Sequence, residues 1–107
     1  IVVLANRGSY SATNNFVSIM KSLPNVKVVG DTTGGGSGLP FTSELPNGWT
    51  VRFSACPITG PDGQPTEQGV APDVQVDMTG DPKTGIMLHD AILDTAFKVL
   101  EQMAHGK

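Results

Sequence analysis

The feature that most constrains the fold of this chain is the junction between an apolar run, residues 1–5, and a helical pattern that begins near Ser11. A continuous run of branched apolar residues predicts a strand that is buried on both faces. After the junction, apolar side chains recur at helical spacing at Ala12, Phe16, Met20 and Leu23. The sequence therefore predicts a strand that turns directly into a helix over residues 11–23, with Ser11 at the turn.

Two interpretations of Ser11 stay open on this junction alone. The first N–H groups of a helix have no partner within the helix, and the helix dipole is positive there, so an oxyanion that forms beside Ser11 is stabilised. That environment suits a serine nucleophile. Serine, threonine and asparagine are also common at helix starts as caps, and Ser9, Thr13 and Asn14 offer the same chemistry. Ser11 is thus a candidate nucleophile whose alternative role is a helix cap.

A second apolar run, residues 26–29, follows the helix breaker Pro24. The order strand, helix, strand predicts a βαβ unit with parallel strands, in which the carboxyl ends of the strands meet at one edge of the sheet. Ser11 and Asp31 both fall at that edge, where ligand crevices of such sheets lie.

Residues 32–40 are predicted to form a loop, because four of these nine residues are glycine. Two strand-like runs, residues 41–45 and 49–56, then flank Pro46-Asn47-Gly48, and Asn-Gly between such runs is a strong hairpin signal. In the second run the apolar residues Trp49, Val51, Phe53 and Ala55 alternate with polar ones. We therefore expect a hairpin with one face in the core.

The remainder of the chain predicts one short strand at residues 74–76 and an amphipathic helix over residues 84–104, closed by Gly106. The apolar stripe of this helix contains His89, Leu93, Ala96, Leu100 and Met103, and its apolar face is widened by Ile92, Phe97 and Val99. Cys56, the single cysteine, lies in a strand-like run and is expected to be a buried structural thiol.

The length and net charge of the chain limit the classes of protein to which it can belong. A chain of 107 residues is the size of a single domain, so we expect one compact unit. No apolar run is long enough to cross a bilayer. The net charge is −3 and the seven basic residues are scattered, which excludes the charge pattern of a nucleic-acid-binding protein. Because the chain opens with Ile1 directly in a strand, we expect it to be a piece of a longer protein.

Few side chains offer a general base for Ser11. His105 falls at the end of the last helix, His89 lies on its apolar stripe, and Lys21 and Lys27 are expected to be solvated. The glycine loop lacks the lysine and the spacing of a phosphate-binding loop. No histidine or cysteine spacing predicts a metal site, so no cofactor is expected.

Four segments in order resemble the motifs of the C-terminal processing peptidases, also called tail-specific proteases. This serine peptidase family has the Clp-protease/crotonase fold, so the resemblance implies an α/β fold. Residues 6–13 resemble the family's nucleophile turn, and residues 28–36 resemble its strand and glycine-rich loop. Residues 44–48 resemble its hairpin, and residues 69–74 resemble its closing G-V-x-P-D-hydrophobic signature. The resemblance covers residues 1–76, and the whole chain is then expected to be the C-terminal part of a serine peptidase core.

The family resemblance assigns roles to single residues. It implies that Ser11 is the nucleophile and that the Ala12 N–H is one oxyanion donor. In the Ser/Lys branch of the family a lysine stands where this chain has Gly36, so the chain looks more like the tricorn-like and retinoid-binding-protein-like branch. Peptidases of that branch use a serine, a histidine and a glutamate. The glutamate corresponds to Glu67, and the histidine comes from an upstream part of the core. Asn14 stands where many relatives have Glu.

The resemblance also implies a mechanism and a setting. Ser11 is expected to cleave polypeptide substrates by acyl transfer, and Gly34, Gly35 and Gly36 are expected to bind the substrate as an added strand. A non-catalytic module that binds peptides or apolar ligands is the alternative. The family resemblance also implies an extracytoplasmic bacterial location. The truncated core is expected to self-associate through the face that the upstream part would cover.

Overall fold

The fold is built on the βαβ unit that the sequence predicts. A computed structural model describes residues 1–77 and 89–106. The elements in these ranges are β1 (Val2–Ala5), α1 (Ala12–Lys21), β2 (Lys27–Gly30), β3 (Leu39–Glu44), β4 (Thr50–Cys56), β5 (Val74–Gln75) and α2 (Ala91–His105). Strands β1, β2 and β5 form one sheet, and strands β3 and β4 form another.

Strand β2 is the centre of the three-stranded sheet. It pairs in parallel with β1, where Val3 lies opposite Val28. On its other side it pairs in parallel with β5, where Val29 lies opposite Val74. The predicted parallel pairing and the predicted short strand near residue 74 are both confirmed.

The core lies on the two faces of β2. Val28 packs with Ala5 and with Val17 of α1. The next residue, Val29, points the other way and packs with Ile92 and Ala96 of α2. Both valines are fully buried. Because successive side chains of a strand alternate between its faces, α1 and α2 cover opposite sides of the sheet.

Two details of the βαβ unit differ from the prediction. Strand β1 is not fully buried, because Val2 and Val3 are half-buried and Leu4 is exposed. The buried face of α1 consists of Asn14, Val17 and Ser18, whereas Phe16 is 52% exposed. The predicted stripe through Phe16 is therefore wrong. The reason is that polar loop segments cover this helix, and they bond the Asn14 amide.

The hairpin forms at the predicted place but its face is not buried. Strands β3 and β4 are antiparallel, with Phe41 opposite Phe53 and their ring centroids 5.7 Å apart. Trp49 is 71% exposed, and Cys56 is an exposed free thiol. Both the predicted core face of the hairpin and the predicted buried cysteine are wrong. The cause is that no other helix or strand of the described ranges packs on the hairpin.

The chain is more extended than a compact domain of its length. The radius of gyration is 17.2 Å, whereas a compact domain of this length is expected to have about 13 Å. The expectation of one compact unit is therefore wrong for these residues taken alone.

Helix α2 begins and ends at identifiable caps. The Asp90 carboxylate accepts a hydrogen bond from the Leu93 N–H at 2.9 Å, and Gly106 ends the helix as predicted. Of the predicted helix, residues 84–88 lie outside the described part of the chain. Of the predicted apolar face, Ile92 and Ala96 are buried, whereas Leu93, Phe97 and Leu100 are exposed, so only part of that face is covered. Neither helix of residues 1–77 and 89–106 has the length and apolarity that a bilayer span requires.

Candidate active site

Ser11 has an unusual backbone conformation. Its φ is 58° and its ψ is −120°, and it is the one residue other than glycine with positive φ in the described ranges. Such a conformation costs about 1–3 kcal/mol and persists only where the surroundings hold it. Here the Ser11 N–H donates to the carbonyl of Gly35 at 2.8 Å, while the Ser11 carbonyl accepts from the Asn15 N–H. The turn between β1 and α1 is thus anchored to the glycine loop.

The Ser11 hydroxyl does not cap the helix. Ser11 is exposed and stands at the N-cap position of α1, but its side chain accepts no cap hydrogen bond. Within the part of the chain that the structure describes, the Ala12 N–H also has no acceptor. An uncapped hydroxyl and an unpartnered N–H therefore lie at the positive end of the helix. Of the two interpretations of Ser11, the helix cap is not the one that this geometry supports.

The glycine loop packs between the Ser11 turn and the loop that contains Glu67. The Gly34 N–H donates to the Ser9 carbonyl, and the Gly36 N–H donates to the Glu67 carbonyl, each at 2.9 Å. Gly36 has φ 67°, and a Cβ there would overlap the ring of Tyr10. The loop requires glycine at this position because of its positive φ and the closely packed Tyr10 ring. Since the N–H groups of Gly34 and Gly36 are engaged, an added substrate strand has to use other main-chain groups.

A cavity of about 300 Å³ opens beside Ser11. The Ser11 turn and Gly36 form one side, and the hairpin contributes Arg52, Phe53 and Ser54 to the other. Sequence reasoning did not single out Arg52 or Ser54. The available signal was their place on the predicted polar side of the second hairpin strand.

Glu67 joins the cavity wall to the glycine loop. Its Oε1 accepts a hydrogen bond from the Ser54 hydroxyl at 2.9 Å, and its Oε2 accepts from the Gly38 N–H at 2.8 Å. The structure therefore brings Ser11, the glycine loop and Glu67 together, with the loop between the serine and the glutamate. No hydrogen bond joins Glu67 to Ser11 directly in the described ranges.

The basic side chains considered for Ser11 lie elsewhere. His89 is exposed ahead of α2 and contacts the Asp94 carboxylate, and His105 is exposed at the end of α2. The Lys21 ammonium donates to the Ala71 carbonyl, and Lys27 is exposed on β2. None of the four residues lines the cavity beside Ser11.

Asp31 lies at the predicted sheet edge but outside this cavity. The Gln75 amide donates to its carboxylate at 2.8 Å and the Thr32 N–H donates at 2.7 Å, so the pKa of Asp31 is lowered, with the Gln75 bond as the largest cause. In residues 1–77 and 89–106, no three His, Cys, Asp or Glu side chains form a group that suits a metal ion.

The chain is similar to known proteins in both sequence and structure. The family model described as peptidase family S41 matches residues 1–76. The chain belongs to peptidase family S41. This S41 chain is 57% identical to a predicted peptidase from Parabacteroides merdae with a known crystal structure, with a TM-score of 0.80. That match covers 92% of this chain and 31% of the other. No curated protein sequence matches significantly.

Two further solved structures share the fold of this S41 chain. Mature CPAF in complex with lactacystin has a TM-score of 0.82 at 22% identity, over 100% of this chain and 21% of CPAF. The photosystem II D1 C-terminal processing protease has a TM-score of 0.58 at 28% identity, over 85% of this chain and 25% of that protease. The chain thus spans less than a third of the length of each of these proteins. The resemblance to C-terminal processing peptidases and the expected α/β fold are confirmed.

Proposed function

We propose that these residues form the C-terminal part of a serine peptidase core and that Ser11 is its nucleophile. The observation that carries the proposal is the exposed, uncapped Ser11 hydroxyl, held at positive φ at the N-terminus of α1. Nucleophilic serines on sharp strand-to-helix turns expose Oγ in this way. Membership of peptidase family S41 supports the same reaction class.

The proposed reaction is acyl transfer to water. A histidine from an upstream segment takes the proton of Ser11 Oγ as the oxygen attacks the carbonyl carbon of the scissile peptide bond. The Ala12 N–H and an upstream N–H stabilise the oxyanion. The imidazolium then gives its proton to the leaving amine, and water hydrolyses the acyl-enzyme with the same histidine as base.

Glu67 has a supporting role in this proposal. Its carboxylate spans from the Gly38 N–H to the Ser54 hydroxyl, so it holds the glycine loop against the cavity wall. From that position a carboxylate favours a positively charged partner such as the imidazolium that forms during the reaction. Glu67 is thus the proposed third member of the catalytic group.

The proposed substrate is a polypeptide that enters the cavity between the Ser11 turn and the hairpin. The cavity of about 300 Å³ suits a side chain or a short peptide segment. The D1 C-terminal processing protease, whose fold this chain shares, supports a polypeptide substrate. An extracytoplasmic location belongs to the proposal as well, and cell fractionation tests it.

The test is labelling of the intact protein, with the complete protease core, by a serine-reactive fluorophosphonate. We expect the label on the tryptic peptide that contains Ser11, and we expect Ser11→Ala to abolish it. The control is Ser9→Ala, because Ser9 lies in the same turn and its hydroxyl accepts only from the Asn6 N–H in the described ranges. Labelling that persists in Ser11→Ala would contradict the proposal and favour a binding module without a serine nucleophile.

A further inference from the structure

Asn14 carries a buried hydrogen-bond network one helical turn after Ser11. Its side chain is 0% exposed. Its Oδ1 accepts from the Thr33 hydroxyl, and its Nδ2 group donates to the Ser37 hydroxyl and, at 2.8 Å, to the Thr66 carbonyl. Both N–H bonds of the amide and its oxygen are therefore used. Burial of a polar side chain is costly unless it is bonded, so this position is specific for a group that both donates and accepts.

The first two contacts hold the glycine loop from both ends. Thr33 and Ser37 flank residues 34–36 in the sequence, and one Asn14 side chain bonds both of them. Between them lies the Gly35 carbonyl, which accepts the Ser11 N–H. Glycine backbones are conformationally free unless they are held. The Asn14 amide thus restrains the segment that in turn restrains the strained Ser11 backbone.

The third contact reaches the other half of the site. Thr66 immediately precedes Glu67, and its carbonyl accepts from the Asn14 amide. The Glu67 carbonyl accepts from the Gly36 N–H in the same glycine segment. One side chain of α1 therefore connects the serine turn, the glycine loop and the Glu67 loop.

We propose that Asn14 is a positioning residue, which fixes the Ser11 backbone and the place of Glu67 relative to each other. This inference rests on the proposed function of Ser11 and Glu67. Asn14 touches neither reacting group, so its effect is exerted through Thr33, Ser37 and Thr66. A misplacement of reacting groups by about 1 Å costs on the order of a hundredfold in rate.

Two substitutions separate the hydrogen bonds from the volume of the side chains. Asn14→Asp keeps the shape but removes the donor, and it turns a carboxylate oxygen toward the Thr66 carbonyl. Thr33→Val keeps the shape but removes the hydroxyl that bonds Asn14 and accepts from the Val70 N–H. Thr33→Ser retains that hydroxyl. The matched control is Asn25→Asp, the same change at an exposed loop position, where the side chain makes no hydrogen bond within the described part of the chain.

The experiment measures kcat and KM for peptide hydrolysis by the intact protein, with melting temperature as the check on folding. We expect kcat to fall on the order of a hundredfold in Asn14→Asp with little change in KM. Thr33→Val should show a smaller fall in kcat, whereas Thr33→Ser and Asn25→Asp should stay close to the parent protein. The double variant Asn14→Asp/Thr33→Val should lose less than the product of the single losses.

The results that would contradict the positioning role of Asn14 differ from the result that would contradict the proposed function of Ser11. A parental kcat in folded Asn14→Asp, or an Asn25→Asp that is as slow as Asn14→Asp, would overturn the positioning role. If Asn14→Asp does not fold, the Thr33 pair decides, and equal kcat in Thr33→Val and Thr33→Ser would overturn it. Ser11→Ala is measured in the same series. Hydrolysis that persists there would overturn the proposed function instead.

Discussion

The three-stranded sheet and the hairpin both contain strands with apolar side chains, but the environments of these side chains are opposite. In the sheet, Val28 and Val29 are each fully buried, one under α1 and the other under α2. In the hairpin, Val51 and Phe53 lie on one face and are 40% and 51% exposed. The difference shows that alternation predicts which side chains share a face, but a face is buried only where another element covers it.

The largest expected effect comes from the same substitution in both regions. Val28→Asp places a carboxylate among Ala5 and Val17, and we expect it to destabilise the 107-residue chain by more than about 4 kcal/mol. Val51→Asp, on the exposed hairpin face, should change stability by less than about 1 kcal/mol. Urea unfolding followed by circular dichroism measures both. Equal losses would show that the hairpin face is covered as well as the sheet.

The next effect concerns association of the isolated 107 residues. Phe53 of β4 and Trp49, which immediately precedes that strand, are both exposed, and Phe41 lies opposite Phe53. Exposed apolar patches of this kind favour association. We expect light scattering to report masses above 11.2 kDa.

The double variant Trp49→Ser/Phe53→Ser should restore the monomer mass. The control is Thr42→Ala/Thr50→Ala, which changes the opposite face of the hairpin and should leave association as it is. A monomeric parent chain would remove the hairpin face as an association surface.

A smaller effect on stability is expected at Glu67, which joins the two regions. Glu67→Gln weakens the bond to the Gly38 N–H and should cost about 1 kcal/mol or less, because the side chain is exposed. Turnover of the intact protein should fall by a larger factor, since the proposed catalytic group loses its charge. Glu44→Gln, the same change on exposed β3, is the control. A large drop in melting temperature with parental turnover would indicate a structural role only.

The local elements were predictable from sequence because their signals are local. Asn47-Gly48 predicted the hairpin, and the apolar runs on each side of Pro24 predicted the βαβ unit, which the structure confirms. The Ser11 turn was found through its place between strand and helix and through the family motif. Its positive φ has no signal in single residues, because the Gly35 carbonyl holds it from 24 positions away.

The rest depends on contacts between distant segments. The apolar stripe of α1 predicted that Phe16 is buried, but the buried face contains Asn14, whose partners are Thr33, Ser37 and Thr66. A hydrogen-bond network of this kind has no periodic signature. Ser54 was missed for the same reason, since only the fold brings it to Glu67.

The most direct test of Ser11 as the nucleophile is to trap the acyl-enzyme of the intact protein. An activated ester of a short peptide is mixed with the protein, the reaction is quenched in acid within the first turnover, and mass spectrometry locates the acyl group. We expect an adduct of the acyl mass on the tryptic peptide that contains Ser11. This adduct should be absent in Ser11→Ala and present in Ser9→Ala. An adduct on another residue, or ester turnover that is undiminished in Ser11→Ala, would contradict the assignment of Ser11 as the nucleophile.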